Sequence, residues 1–326
     1  MRFLARRLGF YIITAWVAIT INFFIPRLMP GNPVELVFNR VRRQISPAAL
    51  RAFTIAFGID NHQGLVSQYF SYLDQVLHGN LGTSITFFPS PVSTVIRGAL
   101  PWTLALVGIS TVLSFLIGTL LGIFAATRRG TWVDGLLPVS SFLSAMPYFW
   151  MGLIVLTVFA VDLGWFPLSS GYSPTTNIGF TWGFISDALY HGVLPALTIV
   201  LSSIAGWLLG MRNVMMSTLG EDYVLLAEAK GLPQHRVNFT YAARNAILPN
   251  MAGFALSLGF IVSGALLTEV VFSYPGIGYV LFEAVENEDY PLMQGIFLMI
   301  TILVLLANLL ADVVYATMDP RTREAG

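Results

Sequence analysis

Residues Asp222–Val237 read DYVLLAEAKGLPQHRV, and this stretch holds the only lysine of the chain, Lys230. Immediately before it, Thr218-Leu219-Gly220-Glu221 has the Thr-x-x-Glu spacing of a capping box, which predicts a helix start. The helical pattern runs on through Ala229 and Lys230. Gly231 then fits the left-handed position after a helix end, and Pro233 blocks continuation. The expectation is a helix of about three turns. Ala227, Ala229 and Gly231 leave one region of it with very little side chain, open to close approach by another backbone. A second helical stretch, Gln234–Arg244, leads through Asn245-Ala246 to Ile247-Leu248-Pro249 and back into apolar sequence. A plain connector needs only a few residues. A block over 212–246 with its own start and stop signals reads as a docking surface, and a solvated loop of ordinary helix propensity is the alternative.

Outward from this block the chain is apolar. Of 326 residues, 56% are hydrophobic and 10% charged, and the net charge is zero. Soluble domains carry about 25% charged residues. The zero balance argues against a nucleic-acid partner held through phosphates. The absence of cysteine excludes disulfides, thiolate metal sites and cysteine nucleophiles. Crossing a bilayer takes about 20 apolar residues. Six stretches qualify: Leu8–Met29, Pro101–Ala126, Val133–Val161, Val193–Met211, Ile247–Phe272 and Leu292–Met318. The expected fold is therefore an all-α polytopic membrane protein with six transmembrane helices.

Lys and Arg set the orientation. Arg2, Arg6 and Arg7 precede the first span, and Arg128 and Arg129 follow the second. Arg212, Lys230, Arg236 and Arg244 lie between the fourth and fifth, and Arg321 and Arg323 follow the sixth. The short loops 162–192 and 273–291 contain no Lys or Arg. Both termini are thus expected in the cytoplasm. A cleaved leader is disfavoured, because the first apolar run is too long and no A-x-A site follows it. The expected organisation is a first span within 1–29, an external segment 30–100, and a five-helix core 101–326 that carries the cytoplasmic loop 212–246. Within the external segment Leu65–Leu77 has helical spacing and Gly79-Asn80-Leu81-Gly82 breaks it. Trp165, Tyr172, Trp182 and Tyr190 in the loop 162–192 read as interface anchors.

Ala227-Glu228-Ala229-Lys230-Gly231, followed by Asn245-Ala246-Ile247-Leu248-Pro249, resembles the EAA loop of ABC-type importer permeases. The general pattern begins Glu-Ala-Ala six residues before the glycine, where this chain has Leu225, Leu226 and Ala227. Asp222, Tyr223, Val224, Ala227, Ala229, Lys230, Gly231 and Leu232 fit the version of the dipeptide/oligopeptide/nickel branch. Pro30-Gly31-Asn32-Pro33, Gly79-Asn80-Leu81-Gly82-Thr83-Ser84, Pro101-Trp102-Thr103-Leu104, Gly164-Trp165-Phe166-Pro167, Tyr274-Pro275-Gly276-Ile277-Gly278, Asp289-Tyr290-Pro291 and Asp319-Pro320-Arg321 are similar to that branch in the same order. The resemblance implies a type I ABC importer permease in a bacterial or archaeal cytoplasmic membrane. It implies a second related permease subunit, two cytoplasmic P-loop ATPases and an extracytoplasmic solute-binding protein as partners. It further implies that Glu221, Asp222, Tyr223, Ala227, Glu228, Ala229, Lys230, Gly231 and Leu232 form a coupling helix that docks the ATPase. Peptides are the expected substrate, with nickel, glutathione and oligosaccharides as alternatives within the branch. A stand-alone secondary carrier and a purely structural membrane scaffold are the readings from other classes.

The chain itself carries no cofactor motif. Lys230 is followed by Gly231 and Leu232, so no phosphate-binding loop can form around it. ATP and magnesium are therefore expected on partner subunits. His62, His78, His191 and His235 lack metal-ligand spacing, and no catalytic constellation can be argued from them. Glu269 in the fifth span and Asp312 in the sixth are candidates for the translocation path, since a carboxylate at the bilayer centre costs about 3 kcal/mol. A satisfied interhelical hydrogen bond is the simpler role for each. Met146 and Pro147 are further path candidates, at a point where the third span can kink. Gly118-x-x-x-Gly122 and Gly206-x-x-x-Gly210 permit close helix packing, within the chain or against a partner permease.

Overall fold

The structure, a computed structural model, describes residues 2–28, 64–128, 130–131, 135, 137–259, 261 and 266–318. Among these the chain is mostly helical and has no strand, only one isolated bridge between Thr83 and Pro91. The chain divides into two units, residues 1–102 with 275–326, and residues 103–274. Four helices are long and apolar enough to cross a membrane, or five if one sharply bent pair counts as a span. Multi-pass membrane architecture follows from these helices, although the described residues do not reach the six expected spans.

In the first unit, α1 (Arg2–Leu28) packs along α12 (Tyr290–Met318). Phe10, Ile12, Ile13 and Trp16 stay exposed, as on a helix whose outer face meets lipid. The inner face turns to side-chain amides. Asn22 Nδ2 donates to the Gln294 carbonyl at 2.8 Å, and Gln294 Nε2 donates to the Asn22 carbonyl at 3.1 Å. The helix expected over Leu65–Leu77 is present as α2. Its Tyr69 and Tyr72 rings meet the wholly buried Phe23 at 5.2 and 5.6 Å, and the Tyr69 hydroxyl shares a hydrogen bond with Thr20 at 2.7 Å. The Gly79–Ser84 turn then brings Ser84 onto Asp289. This buried carboxylate accepts from the Ser84 hydroxyl, the Thr86 N–H at 2.8 Å and the Leu292 N–H at 3.1 Å. Asp289 therefore caps α12 and ties the external turn to it.

The division between units falls inside α3 (Val92–Thr127). The expected second span began at Pro101, but the helix starts nine residues earlier and carries Pro101 inside it. Proline removes one intrahelical bond and does not end a helix whose neighbours still support it.

In the second unit, the expected third span is not one helix. It breaks into α4 (Leu137–Ala145) and α5 (Tyr148–Leu156), which continues as a π-helical turn Thr157–Asp162, with a bend of 103°. Pro147 is the reason: its backbone is extended, with ψ 140°, and it caps α5 where α4 would have run on. Helix α6 (Trp182–Thr218) has 37 residues, so it spans about 55 Å against a hydrocarbon core of about 30 Å. Thr181 caps its start by accepting the Phe184 N–H at 3.3 Å. Gly118 and Gly122 of α3 pack on α6. A Cβ at Gly118 would stand 2.7 Å from the Ile204 carbonyl oxygen, and one at Gly122 would stand 2.6 Å from that of Leu208. The short helix α7 (Asp222–Ala229) follows α6. Then α8 (Gln234–Arg236) passes through a π-helical stretch, Val237–Ala243, into α9 (Arg244–Gly259). Pro249, expected at the start of the fifth span, lies inside α9. Helices α10 (Leu266–Val271) and, in the first unit, α11 (Ile277–Glu286) complete the order.

Candidate functional site

The block after α6 differs at its start from the expectation and matches it at its end. Thr218 is the last residue of α6, and its hydroxyl donates to the Val214 carbonyl at 2.9 Å. It is therefore unavailable as a cap, and no capping box forms. Glu221 takes the cap position with an extended backbone and no side-chain cap bond. Asp222 places a carboxylate in the first turn, where the helix dipole favours it. The helix has eight residues, about two turns and not three. Its end is a Schellman motif: the Gly231 N–H donates to the Glu228 carbonyl at 2.8 Å and the Leu232 N–H to that of Ala227 at 3.4 Å. Gly231 is left-handed, with φ +73°.

Val224 and Ala227, three residues apart, face inward. They are buried in one apolar cluster with Ile123 and Ala126 of α3, Met211 and Met215 of α6, and Val237, Ala242, Ala243 and Ala246 of the stretch entering α9. Leu232 packs at its edge. The Tyr223 hydroxyl accepts from Asn245 Nδ2 at 2.9 Å, and Gln234 Nε2 donates to Glu228 Oε1 at 3.2 Å. The outer face presents Glu221, Asp222, Glu228, Ala229, Lys230 and Gly231, all exposed, around Leu225 and Leu226, which are 49% and 55% exposed. The three small residues thus do not share a surface: Ala227 points into the cluster, while Ala229 and Gly231 stay open. In the sequence Leu225 and Leu226 stand out only as departures from the general motif and not as docking residues, yet once Val224 and Ala227 turn inward they must turn out. A groove of about 400 Å³ beside α7 is lined by Met216, Leu219, Gly220, Glu228, Gln234 and Asn238, with Ala126 and Thr127 of α3.

The other candidates are dispersed. Met146 is partly buried at the α4–α5 break and donates its N–H to Leu143 at 3.3 Å, while Pro147 is exposed. Glu269 is wholly buried and accepts from the Thr103 hydroxyl at 2.7 Å. Burial first, then the Glu269 charge, pushes the nearby Tyr274 hydroxyl up to about 12, so it stays protonated at neutral pH. The backbone of Asp312 lies in α12, and its side chain lies outside the described residues. Pro30–Pro33 and Asp319–Arg321 also lie outside them.

Residues 118–324 match the family described as binding-protein-dependent transport system inner membrane component. The chain is 36% identical to a di/tripeptide transport system permease protein of Pseudomonas aeruginosa (strain UCBPP-PA14), over 99% of both chains. It is 35% identical to an oligopeptide transport system permease protein of Bacillus subtilis (strain 168), over 92% of both. To a dipeptide transport system permease protein of Escherichia coli (strain K12) it is 33% identical, over 99% of both.

Proposed function

This chain belongs to the family of binding-protein-dependent transport system inner membrane components, and from that premise we propose that it is the membrane-spanning subunit of an ATP-driven importer of short peptides. In this reading it crosses a bacterial or archaeal cytoplasmic membrane six times, with both termini in the cytoplasm and residues 30–100 outside. A second, related permease completes the path. A solute-binding protein delivers peptide from outside. Two P-loop ATPases supply ATP and magnesium chemistry, one docking on the segment 221–232 of this chain and the other on the second permease. Peptide as substrate rests on the names of the relatives.

One observation carries the coupling role. Helix α7 is seated by Val224 and Ala227 on the ends of α3 and α6 and on the run into α9, while its outer face remains open. A load applied to that face passes to three long helices through packed side chains, which transmit displacement because interiors are close-packed. ATP binding and hydrolysis on the partner would then bias two arrangements of those helices, and loaded binding protein would bias the same pair from outside.

The test is purification of the complex from native membranes in mild detergent, with identification of the chains that accompany this one. A P-loop ATPase and a second permease are expected. Ala229→Trp adds bulk on the exposed face without touching the seat, and it is expected to release the ATPase while the chain stays folded. Recovery of this chain alone, moving solute in liposomes along a gradient, would overturn the importer reading.

A further inference from the structure

A cavity of about 600 Å³ lies within residues 103–274, lined from α3, α4, α5, α6 and α9 together with Ile261. The volume is in the range of about 300–1,000 Å³ usual for small-molecule sites. Its polar lining is Thr111, Ser144, Tyr148, Ser202, Ser203, Asn250 and Ser257. Val107, Ile199 and Trp207 supply apolar wall, and among the described residues no Asp, Glu, Lys, Arg or His lines it. Ser144 and Tyr148 come from the two sides of the Met146-Pro147 break, so the bend of the third span builds part of the wall.

Two neighbouring serines on α6 are treated differently. The Ser203 hydroxyl donates to the Ile199 carbonyl at 2.6 Å and shares a hydrogen bond with Ser114 at 2.8 Å. Ser202 is 6% exposed, and among the described residues its Oγ has no hydrogen-bond partner. A buried hydroxyl left unpaired is costly, so a partner from outside the chain is expected there. Gly206 lies one turn further along α6 on the same face. No atom stands within 4 Å of the place a Cβ would occupy on it. Asn250, also in the lining, is held against α6 by donation of its Nδ2 to the Trp207 carbonyl at 3.3 Å.

We infer that this cavity is a solute subsite that reads the main chain of a short peptide, an inference that rests on the peptide-importer reading above. Hydroxyls both donate and accept, and a carboxamide does the same through its two ends. Together they match the alternating C=O and N–H groups of a peptide backbone. Among the described lining residues no fixed charge is present to select a side chain of either sign or to clamp a charged terminus. Ser202 supplies the unsatisfied group, and the open face at Gly206 supplies room beside it.

The chain has no cysteine, so Gly206→Cys is a unique reporter in membranes holding the complete transporter and permeable from both sides. Its labelling by a small thiol reagent is the readout, with Ser217→Cys, at the exposed end of α6, as the control. Tri-alanine at about ten times its half-protecting concentration is expected to slow labelling of Gly206→Cys about tenfold, as occupancy of one site requires. N-acetylated tri-alanine amide is expected to protect equally. Maltotriose and nickel ions are expected to leave the rate unchanged, and tri-alanine to leave the control unchanged. Gly206→Leu is expected to abolish tri-alanine uptake while the ATPase still co-purifies. Labelling indifferent to peptide in a transporter that imports tri-alanine would overturn the inference and leave the importer reading standing. Equal protection by maltotriose would overturn the main-chain reading. A wild-type transporter that imports no peptide would remove the parent reading and this one with it.

Discussion

At Gly231 the backbone stands at φ +73°, and no atom lies within 4 Å of a Cβ built on it. A substitution there meets no clash, so its cost is conformational, about 1–2 kcal/mol. Gly231→Ala and Gly231→Trp are therefore expected to lower the thermal midpoint of the purified chain by similar amounts. They are expected to differ in the complex, where only the tryptophan obstructs the outer face of α7. Retention of the ATPase by Gly231→Trp as well as by Gly231→Ala would remove Gly231 from the docking surface. Asp289 is the opposite kind of residue, held by donors from three places. Asp289→Ala leaves Thr86, Ser84 and Leu292 donors without their acceptor, at about 1–3 kcal/mol for each that stays buried. A marked fall in thermal midpoint is expected, with Asp289→Asn falling less because it keeps one acceptor oxygen. The sequence offered Asp289 only as part of a family-like tripeptide. Its work depends on Ser84, some two hundred residues away, and no local spacing contains that.

The elements show why some boundaries were legible and others were not. The end of α7 is written locally, since Gly231 supplies the left-handed residue and Pro233 forbids the next turn. Its start is not, because Thr218 serves two possible roles. Burial of Met211 and Met215 holds α6 together to its last turn, and the threonine hydroxyl bonds back within that helix. The kink at Pro147 was readable, but hydropathy along one dimension cannot tell a tilt from a bend of 103°. The small-residue pair Gly118 and Gly122 was readable as close packing without a named neighbour, and the neighbour is α6 of the same chain. Gly118→Val would drive a side chain into the Ile204 carbonyl and the Trp207 Cβ, both 2.7 Å from the new Cβ. Since overpacking costs about 1–3 kcal/mol and sometimes more, that variant is expected to unfold at lower temperature in detergent. Gly206→Ala, which meets nothing, is expected to hold or raise the midpoint, because alanine favours a helix.

For the whole molecule, the charge pattern carries a claim that hydropathy cannot. Apolar length identifies spans but says nothing of direction, whereas the absence of Lys and Arg from 162–192 and 273–291 is what the proposed outward placement of those loops rests on. The coupling role stands or falls with that assignment, because an ATPase in the cytoplasm can reach α7 only if the loop 212–246 is there too. The cysteine-free chain makes the test direct. Thr175→Cys in the loop after α5 and Thr131→Cys after α3 are both exposed and both lie outside the 221–232 surface. A membrane-impermeant maleimide applied to intact spheroplasts is expected to label Thr175→Cys and to spare Thr131→Cys. In inside-out vesicles the pattern is expected to reverse. Labelling of Thr131→Cys from outside would invert the chain. The exposed face of α7 would then meet the external solution, and no arrangement of cytoplasmic ATPases could use it.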